Sequence, residues 1–360
     1  MIYINARFLT QKVTGVQRFA IELSRQLVKI LGERVKFVAP KNIIQFELAE
    51  EFHVQIIGTY TGYLWEQVEL PRFLNKQGVP VLLNFCSVAP LVYKNNIVAI
   101  HDITFVRYPK TYSCSFRMVY NFLIPHLCKK VKHVLTVSKF SLEEITNYYK
   151  VPKEKFSVVY NAVDGQFRQM TDEKLQSEKY FVAVSSVKEN KNFPMVVESF
   201  KKLQQRLPDA KLYIIGDLKD KNFGNIDLNV EDNPNIILLG RVSDEDLIRY
   251  YSNAVGFIFP SYYEGFGIPV LEAQACGCPV ISTNRSSLPE VLLDSAILAN
   301  PDDVNAFADG MYTVATDTDL RSELIRKGFE NVKRFSWEDS ARKIVEVITE
   351  YSISSSTPLE

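Results

Sequence analysis

The stretch AVGFIFPSYYEGFGIPVLEAQACGCPVIST, residues 254–283, decides the fold. It opens as a buried strand that stays apolar to Phe259 and continues into a loop carrying Gly265 and Gly267. A helix follows, with Pro269 near its first position and Gly277 past its end. The next strand covers 280–282. This order aims the helix N-terminus and the backbone N–H groups of the loop beyond the carboxyl end of the first strand. Open α/β sheets bind ligands in that crevice, and phosphate suits it.

Outward from this unit the pattern repeats. Upstream in the same half lie YFVAVSS (180–186), KLYIIG (211–216) and NIILLG (235–240), with helical patterns between. The first half offers MIYIN (1–5), VKFVA (35–39), VQII (54–57), VPVLLN (79–84), NIVAIHD (96–102) and HVLTVS (133–138). Phe19, Leu23 and Leu27 recur at helical spacing over 15–31. Strands apolar on both faces that alternate with helices indicate parallel sheets covered on both sides. Two such series predict two Rossmann-like α/β domains, 1–165 and 166–335. A helix over 336–351 with Ser336 as its N-cap is expected to return to the first domain, and 352–360 to form a disordered tail.

Length and composition agree with two soluble domains. The chain has 360 residues, 46% apolar, with 42 Lys+Arg against 42 Asp+Glu. No apolar run reaches the ~18–20 residues of a membrane helix, and the start lacks a signal-peptide profile. Five cysteines (Cys86, Cys114, Cys128, Cys276, Cys278) fit no disulfide or zinc spacing, so reduced buried thiols in a cytoplasmic protein are expected. The zero net charge hides a split. Residues 1–165 hold 21 Lys+Arg and 12 Asp+Glu, a net of +9, and the remainder carries −9. A basic first half points to an anionic partner, either a phosphate-bearing ligand or the inner face of the cytoplasmic membrane. Lys129, Lys130, Lys132 and His133, with Arg117 upstream, form a basic patch in it, which is either a solvated helix face or a membrane contact.

Two carboxylates frame the glycine loop, Glu264 within it and Glu272 about one turn into the helix. Either alone reads equally well as a loop or helix-end charge. Together they suit the hydroxyls of a sugar and a ribose. EGFGIPVLE resembles the E-x7-E motif of retaining GT-B glycosyltransferases of family 4, and the similarity extends over 238–291. TGVQRFAIEL (14–23), HDITFVRYP (101–109), VSKFSLEEI (137–145), VVYNAVD (158–164), KENKNF (188–193) and RFSWEDSARKI (334–344) continue it across nearly the whole chain.

The resemblance implies two Rossmann-like domains facing across a cleft, the donor on the second and the acceptor on the first. Glu264 would contact donor-sugar hydroxyls and Glu272 the ribose. Backbone amides of Gly265, Phe266, Gly267, Val270 and Leu271 would approach sugar and diphosphate. Lys191 would meet the diphosphate. The arginine usual in the family is missing, because Asn190 and Ser186 stand in its two places, and Lys188 is either its substitute or a solvated loop lysine. His101 would hydrogen-bond a sugar hydroxyl. Gly15 and Arg18, at a helix start, would face the donor diphosphate or an acceptor phosphate. Phe105, Tyr108, Tyr112, Phe116, Tyr120 and Phe122 suit either an acceptor cleft or core packing.

The implied activity is transfer of a hexose from a nucleoside-diphosphate sugar, GDP-mannose first, to a lipid-linked saccharide in surface polysaccharide assembly. No metal, other cofactor or nucleic acid is expected. A sugar-nucleotide hydrolase or epimerase, and a catalytically silent sugar-nucleotide binder, are the alternatives.

Overall fold

Short apolar runs separated by helices can pair only in parallel, since each helix returns the chain to the same end of the sheet. The computed structural model describes residues 1–184, 188–216 and 233–354, with side chains through Tyr351. Ser186, the end of the expected strand 180–186 and the tail beyond 354 lie outside the described residues.

One sheet contains β1 (Ile2–Asn5), β2 (Val35–Ala39), β3 (Gln55–Ile56), β4 (Val81–Asn84), β5 (Asn96–Ala99), β6 (His133–Thr136) and β7 (Phe156–Val158). Its order is β3-β2-β1-β4-β5-β6-β7, and the pairings are parallel. The other contains β8 (Tyr180–Val184), β9 (Lys211–Ile215), β10 (Ile236–Gly240), β11 (Gly256–Phe259), β12 (Val280–Thr283) and β13 (Ile297–Ala299). These run in the order β10-β9-β8-β11-β12-β13, also in parallel. Both are Rossmann-like sheets. Each reverses its winding once, between β1 and β4 in the first and between β8 and β11 in the second. The edge strands β7 and β13 are absent from the sequence expectations. Three residues apiece are too few to show a hydrophobic period.

The chain groups into two compact units. The first comprises Met1–Ile103, Met118–Asn161 and the chain from Ser336 on; the second comprises Thr104–Arg117 and Ala162–Phe335. In the first, the helix Gly15–Leu31 buries Phe19, Leu23 and Leu27 completely, each burial worth ~1.5–3 kcal/mol. The helix Trp337–Ser354 sets the Trp337 ring edge-on to Phe19, with centroids 6.0 Å apart. Its start is capped as expected, the Asp339 N–H donating to Ser336 Oγ at 3.2 Å. It continues three residues into the stretch expected as tail, since Ser352 and Ile353 bring no helix breaker. In the second unit Phe181, Phe200, Ile214, Ile258, Ile281 and Phe307 form the core between sheet and helices. Among the described residues no helix is long and apolar enough to cross a membrane.

Candidate functional site

The carboxyl ends of β8 and β11 sit side by side where the second sheet reverses its winding, and both following loops carry expected residues. After β11 the chain passes through 260–267 into the helix Ile268–Ala275. Gly267 holds φ +94°, and a Cβ there would lie 2.7 Å from Leu288 Cδ2, so only glycine fits without displacing that side chain. After β8 the turn Glu189–Lys191 leads into Asn192, itself left-handed at φ 54°. The loops are stitched together. Asn190 Nδ2 donates to Tyr263 O at 3.1 Å, and the Tyr262 N–H donates to Asn190 O at 2.9 Å. Asn192 Nδ2 donates to Pro260 O at 3.3 Å and Pro301 O at 2.8 Å.

That stitching brings Lys191 and Glu264 together. Lys191 Nζ lies 2.5 Å from Glu264 Oε1, with side-chain exposures of 19% and 11%. Lys191 also sits 5.6 Å over the Phe259 ring, which dries one side of the ammonium. Serines from the loop after β12 fix the Glu264 backbone. Its N–H donates to Ser286 Oγ at 3.1 Å, and the buried Ser287 hydroxyl donates to the carbonyls of Glu264 and Phe266, each at 3.0 Å. These serines are supports of the Glu264 loop that sequence reasoning missed. Lone serines in NRSSLPE carry no spacing signal.

Other expectations divide. Gly265, Phe266 and Gly267 form the buried loop in front of the helix, and Glu272 lies half-buried one turn into it. The helix amides differ from the expectation. Val270 N–H is engaged with Gly267 O at 3.2 Å, Pro269 has none, and Leu271 lies too far into the helix to have a free amide. The remaining first-turn amide is that of Ile268. Lys188 does not extend alone into solvent, because its ammonium rests 5.4 Å over the Tyr112 ring. Asn190, in the place of the family arginine, is a buried strut of the loop.

Thr104–Arg117 belongs to this unit, which redistributes the aromatic residues. Tyr112 stacks on Phe116 at 4.9 Å, Phe105 meets Phe116 edge-on at 6.4 Å, and Tyr108 lies 6.1 Å from Tyr263. These rings therefore stand beside the loops that follow β8 and β11, whereas Tyr120 and Phe122 group with the first unit. Burial raises the Tyr108 phenol pKa, helped by Glu189 and Asp302 and opposed by Arg285. Arg285 is an exposed cation on the loop that supplies Ser286, and sequence reasoning passed over it.

In the first unit His101 follows β5. Its Nε2 lies 2.8 Å from Phe85 O, a bond the ring can only donate, and Phe19 packs edge-on at 4.8 Å. That bond leaves Nδ1 as the acceptor face. Burial lowers the imidazole pKa, so the ring is neutral at physiological pH. Gly15 opens the helix Gly15–Leu31 as expected, and Arg18, one turn in, is half-buried, with its N–H on Thr14 O at 2.9 Å. Gln17, between them, turns back to Gln11, Nε2 to Oε1 at 2.7 Å. The thiols are only partly as expected, since Cys128, Cys276 and Cys278 are buried but Cys114 is exposed.

Comparison with known proteins adds three findings. Residues 167–331 match the family described as glycosyl transferases group 1, and residues 13–167 match glycosyltransferase family 4. The chain is 32% identical over 251 residues to the O-antigen chain mannosyltransferase RfbU of Salmonella typhimurium, across 67% of this chain and 68% of that one. It is 29% identical over 227 residues to O-antigen chain mannosyltransferase B of Escherichia coli, across 59% of each. Among solved structures, the Anabaena protein HepE in complex with UDP and glucose superposes with a TM-score of 0.74 at 15% identity, over 97% of this chain and 99% of that one. At that identity the likeness establishes a shared fold.

Proposed function

The chain belongs to the group 1, family 4 glycosyltransferases, and from that premise we propose that it is a retaining, metal-independent hexosyltransferase. In this reading it moves mannose from GDP-mannose to a lipid-linked saccharide during surface polysaccharide assembly. The reading draws mannose and polysaccharide from the names of its two O-antigen relatives. The observation that carries it is the Lys191–Glu264 pair at the winding reversal of the second sheet.

Chemically, the C1–O bond to the diphosphate breaks and its electron pair leaves with phosphate. Lys191 takes up that growing charge, with Lys188 and the loop amides beside it. A fixed cation offered where charge develops lowers the barrier more than one that merely binds substrate. Glu264, its carbonyl and N–H already fixed by serines, is free to accept hydrogen bonds from donor hydroxyls once Lys191 turns to phosphate. Glu272 takes the ribose. His101 Nδ1 accepts from a sugar hydroxyl. The acceptor hydroxyl attacks C1 on the face the diphosphate leaves, and its proton passes to a departing phosphate oxygen. The first unit takes the acceptor, and its basic surface rests on the cytoplasmic face of an anionic membrane.

The test is a thermal-shift screen with UDP, GDP, dTDP, ADP and CMP, with and without magnesium. It is followed by turnover of the matching mannose or hexose donor in EDTA. A ligand at 100 times its Kd adds ~2.7 kcal/mol of stability, enough to read clearly. GDP alone should shift the melt, magnesium should be dispensable, and the product should keep the anomeric configuration by NMR. A preference for another base replaces the donor, and loss of turnover in EDTA or an inverted product removes the mechanism.

A further inference from the structure

The first sheet has its own winding reversal, between β1 and β4, and the strand ends there carry a buried polar cluster absent from the motifs above. Asn5 ends β1 and Asn84 ends β4, their side chains joined by Asn5 Nδ2 to Asn84 Oδ1 at 3.0 Å. Asn5 Nδ2 also donates to Glu66 Oε1 at 2.8 Å, and Arg7 Nε donates to the same oxygen at 3.0 Å. Glu66 is 1% exposed and Arg7 9%.

The carboxylate is lopsided. Oε1 takes two donors, while Oε2 is buried and has no hydrogen-bond partner among the described residues. An unsatisfied buried carboxylate oxygen is costly and calls for a reason. Glu66 also stands in a π-helical turn, Trp65–Glu69, a rare distortion common at functional sites.

The cluster opens into a small cleft with an enclosed space of about 10 Å³, lined by Asn5, Arg7, Gln11, Glu66, Phe85 and Cys86 among others. That is room for about one water-sized group, far below the ~300–1,000 Å³ of sites that enclose a ligand, so it admits a single hydroxyl of a molecule that stays outside. Two of its walls reach residues already named. Phe85 O holds His101, and Gln11 holds Gln17 at the start of the Gly15 helix. The ligand chemistry follows from the charges. Arg7 and Glu66 cancel, so neither a free anion nor a free cation is favoured. A neutral polyol suits that balance, one hydroxyl entering to donate to Oε2 and a neighbour left outside accepting from the guanidinium. The Tyr63 ring, 5.0 Å from Arg7 and 38% exposed, adds a flat apolar wall of the kind sugar C–H faces lie on.

We propose that Glu66 and Arg7 are the acceptor-recognition subsite, reading two adjacent hydroxyls of the acceptor saccharide. The inference rests on the glycosyltransferase reading above but can fail separately from it. The probes are octyl glycosides of mannose, rhamnose, glucose, galactose and N-acetylglucosamine, with their monodeoxy analogues. Binding to the full chain is followed by saturation-transfer NMR, with GDP titrated in the same samples.

At least one glycoside should bind. Glu66→Gln should weaken it at least about tenfold, since a buried acceptor is replaced by a donor. One monodeoxy analogue should already be weak for the wild type and lose nothing further in the variant, which a merely structural role would not produce. Removing one member of a buried ion pair can unfold a protein, so Glu66→Gln/Arg7→Gln, which leaves no lone charge, serves as the second variant. It should remain folded and lose the glycoside. Equal glycoside affinity in either folded variant, or no binding of any glycoside by the wild type, overturns the inference. Absence of nucleotide binding with glycoside binding intact would instead remove the donor reading.

Discussion

Lys191 and Glu264 contact each other at 2.5 Å, so each side chain holds the other in the half-dry position where the donor is proposed to bind. The pairing compensates the half-dry carboxylate, since an unpartnered charge is strongly unfavourable when buried. Diphosphate offers Lys191 a doubly charged alternative, and Glu264 then turns to hydroxyl donors. Lys191→Met should therefore lose ~1.5–3 kcal/mol of diphosphate affinity, about 10–100-fold in Kd, because a charged hydrogen bond disappears. Calorimetric titration of the variant with the preferred nucleoside diphosphate measures it. An unchanged Kd would reduce Lys191 to a structural partner of Glu264. The sequence named both residues through a motif, but not their contact. That contact depends on Asn190 and Asn192 reaching across to the carbonyls of Tyr263 and Pro260, a side-chain geometry no spacing expresses.

At the scale of elements, the helix Trp337–Ser354 is joined to the first sheet through one buried imidazole. His133, at the start of β6, meets Tyr351 Oη at 3.0 Å through Nδ1 and Ser157 Oγ at 2.9 Å through Nε2. Burial, then the charges of Lys155 and Lys343, lower its pKa from 6.5 to about 4. The unfolded chain takes up this proton near pH 6.5, whereas the folded chain refuses it until about 4. Stability is thus fully present above pH 6.5 and falls as pH drops through that window, by ~3 kcal/mol from this group at the acid end. His101, also held neutral by burial, adds loss of the same sign. Urea unfolding between pH 4.5 and 7.5 should show the slope, and His133→Asn should flatten it; equal slopes would disprove the assignment. The strands beside this junction show how legible the elements were. β6 follows from HVLTVS, whereas its three-residue neighbour β7 is too short to announce itself. Ser138 caps the helix Lys139–Tyr149, accepting from the Ser141 N–H at 2.9 Å. The Arg7–Glu66 cluster was invisible for a further reason: its members lie 59 residues apart, and only the sheet order brings them together.

Across the whole molecule the clearest asymmetry is charge, +9 over residues 1–165 against −9 over the rest. The structure adds what composition could not: where apolar side chains stand beside the basic cluster. On the helix Cys114–Lys130, Met118 is 70% and Phe122 57% exposed, at i and i+4, with His126 one further turn along the same exposed stripe. Lys129 and Lys130 close that helix, and Lys132 follows it. Apolar residues in line with cations suit an interface with anionic lipid, the apolar groups entering the headgroup boundary while the lysines meet phosphate. Each lysine near such a surface is worth ~1 kcal/mol at physiological salt, so replacing all three by serine should weaken vesicle binding about 100-fold. Met118→Ser/Phe122→Ser should weaken it with little change in salt dependence, because burial of apolar area is not screened. Co-sedimentation with phosphatidylglycerol-containing vesicles at 50 mM and 500 mM salt separates the two contributions. Binding that ignores both sets of substitutions would move the contact elsewhere on the basic unit. Failure of the wild type to sediment at low salt would assign the positive charge to soluble phosphate-bearing ligands alone.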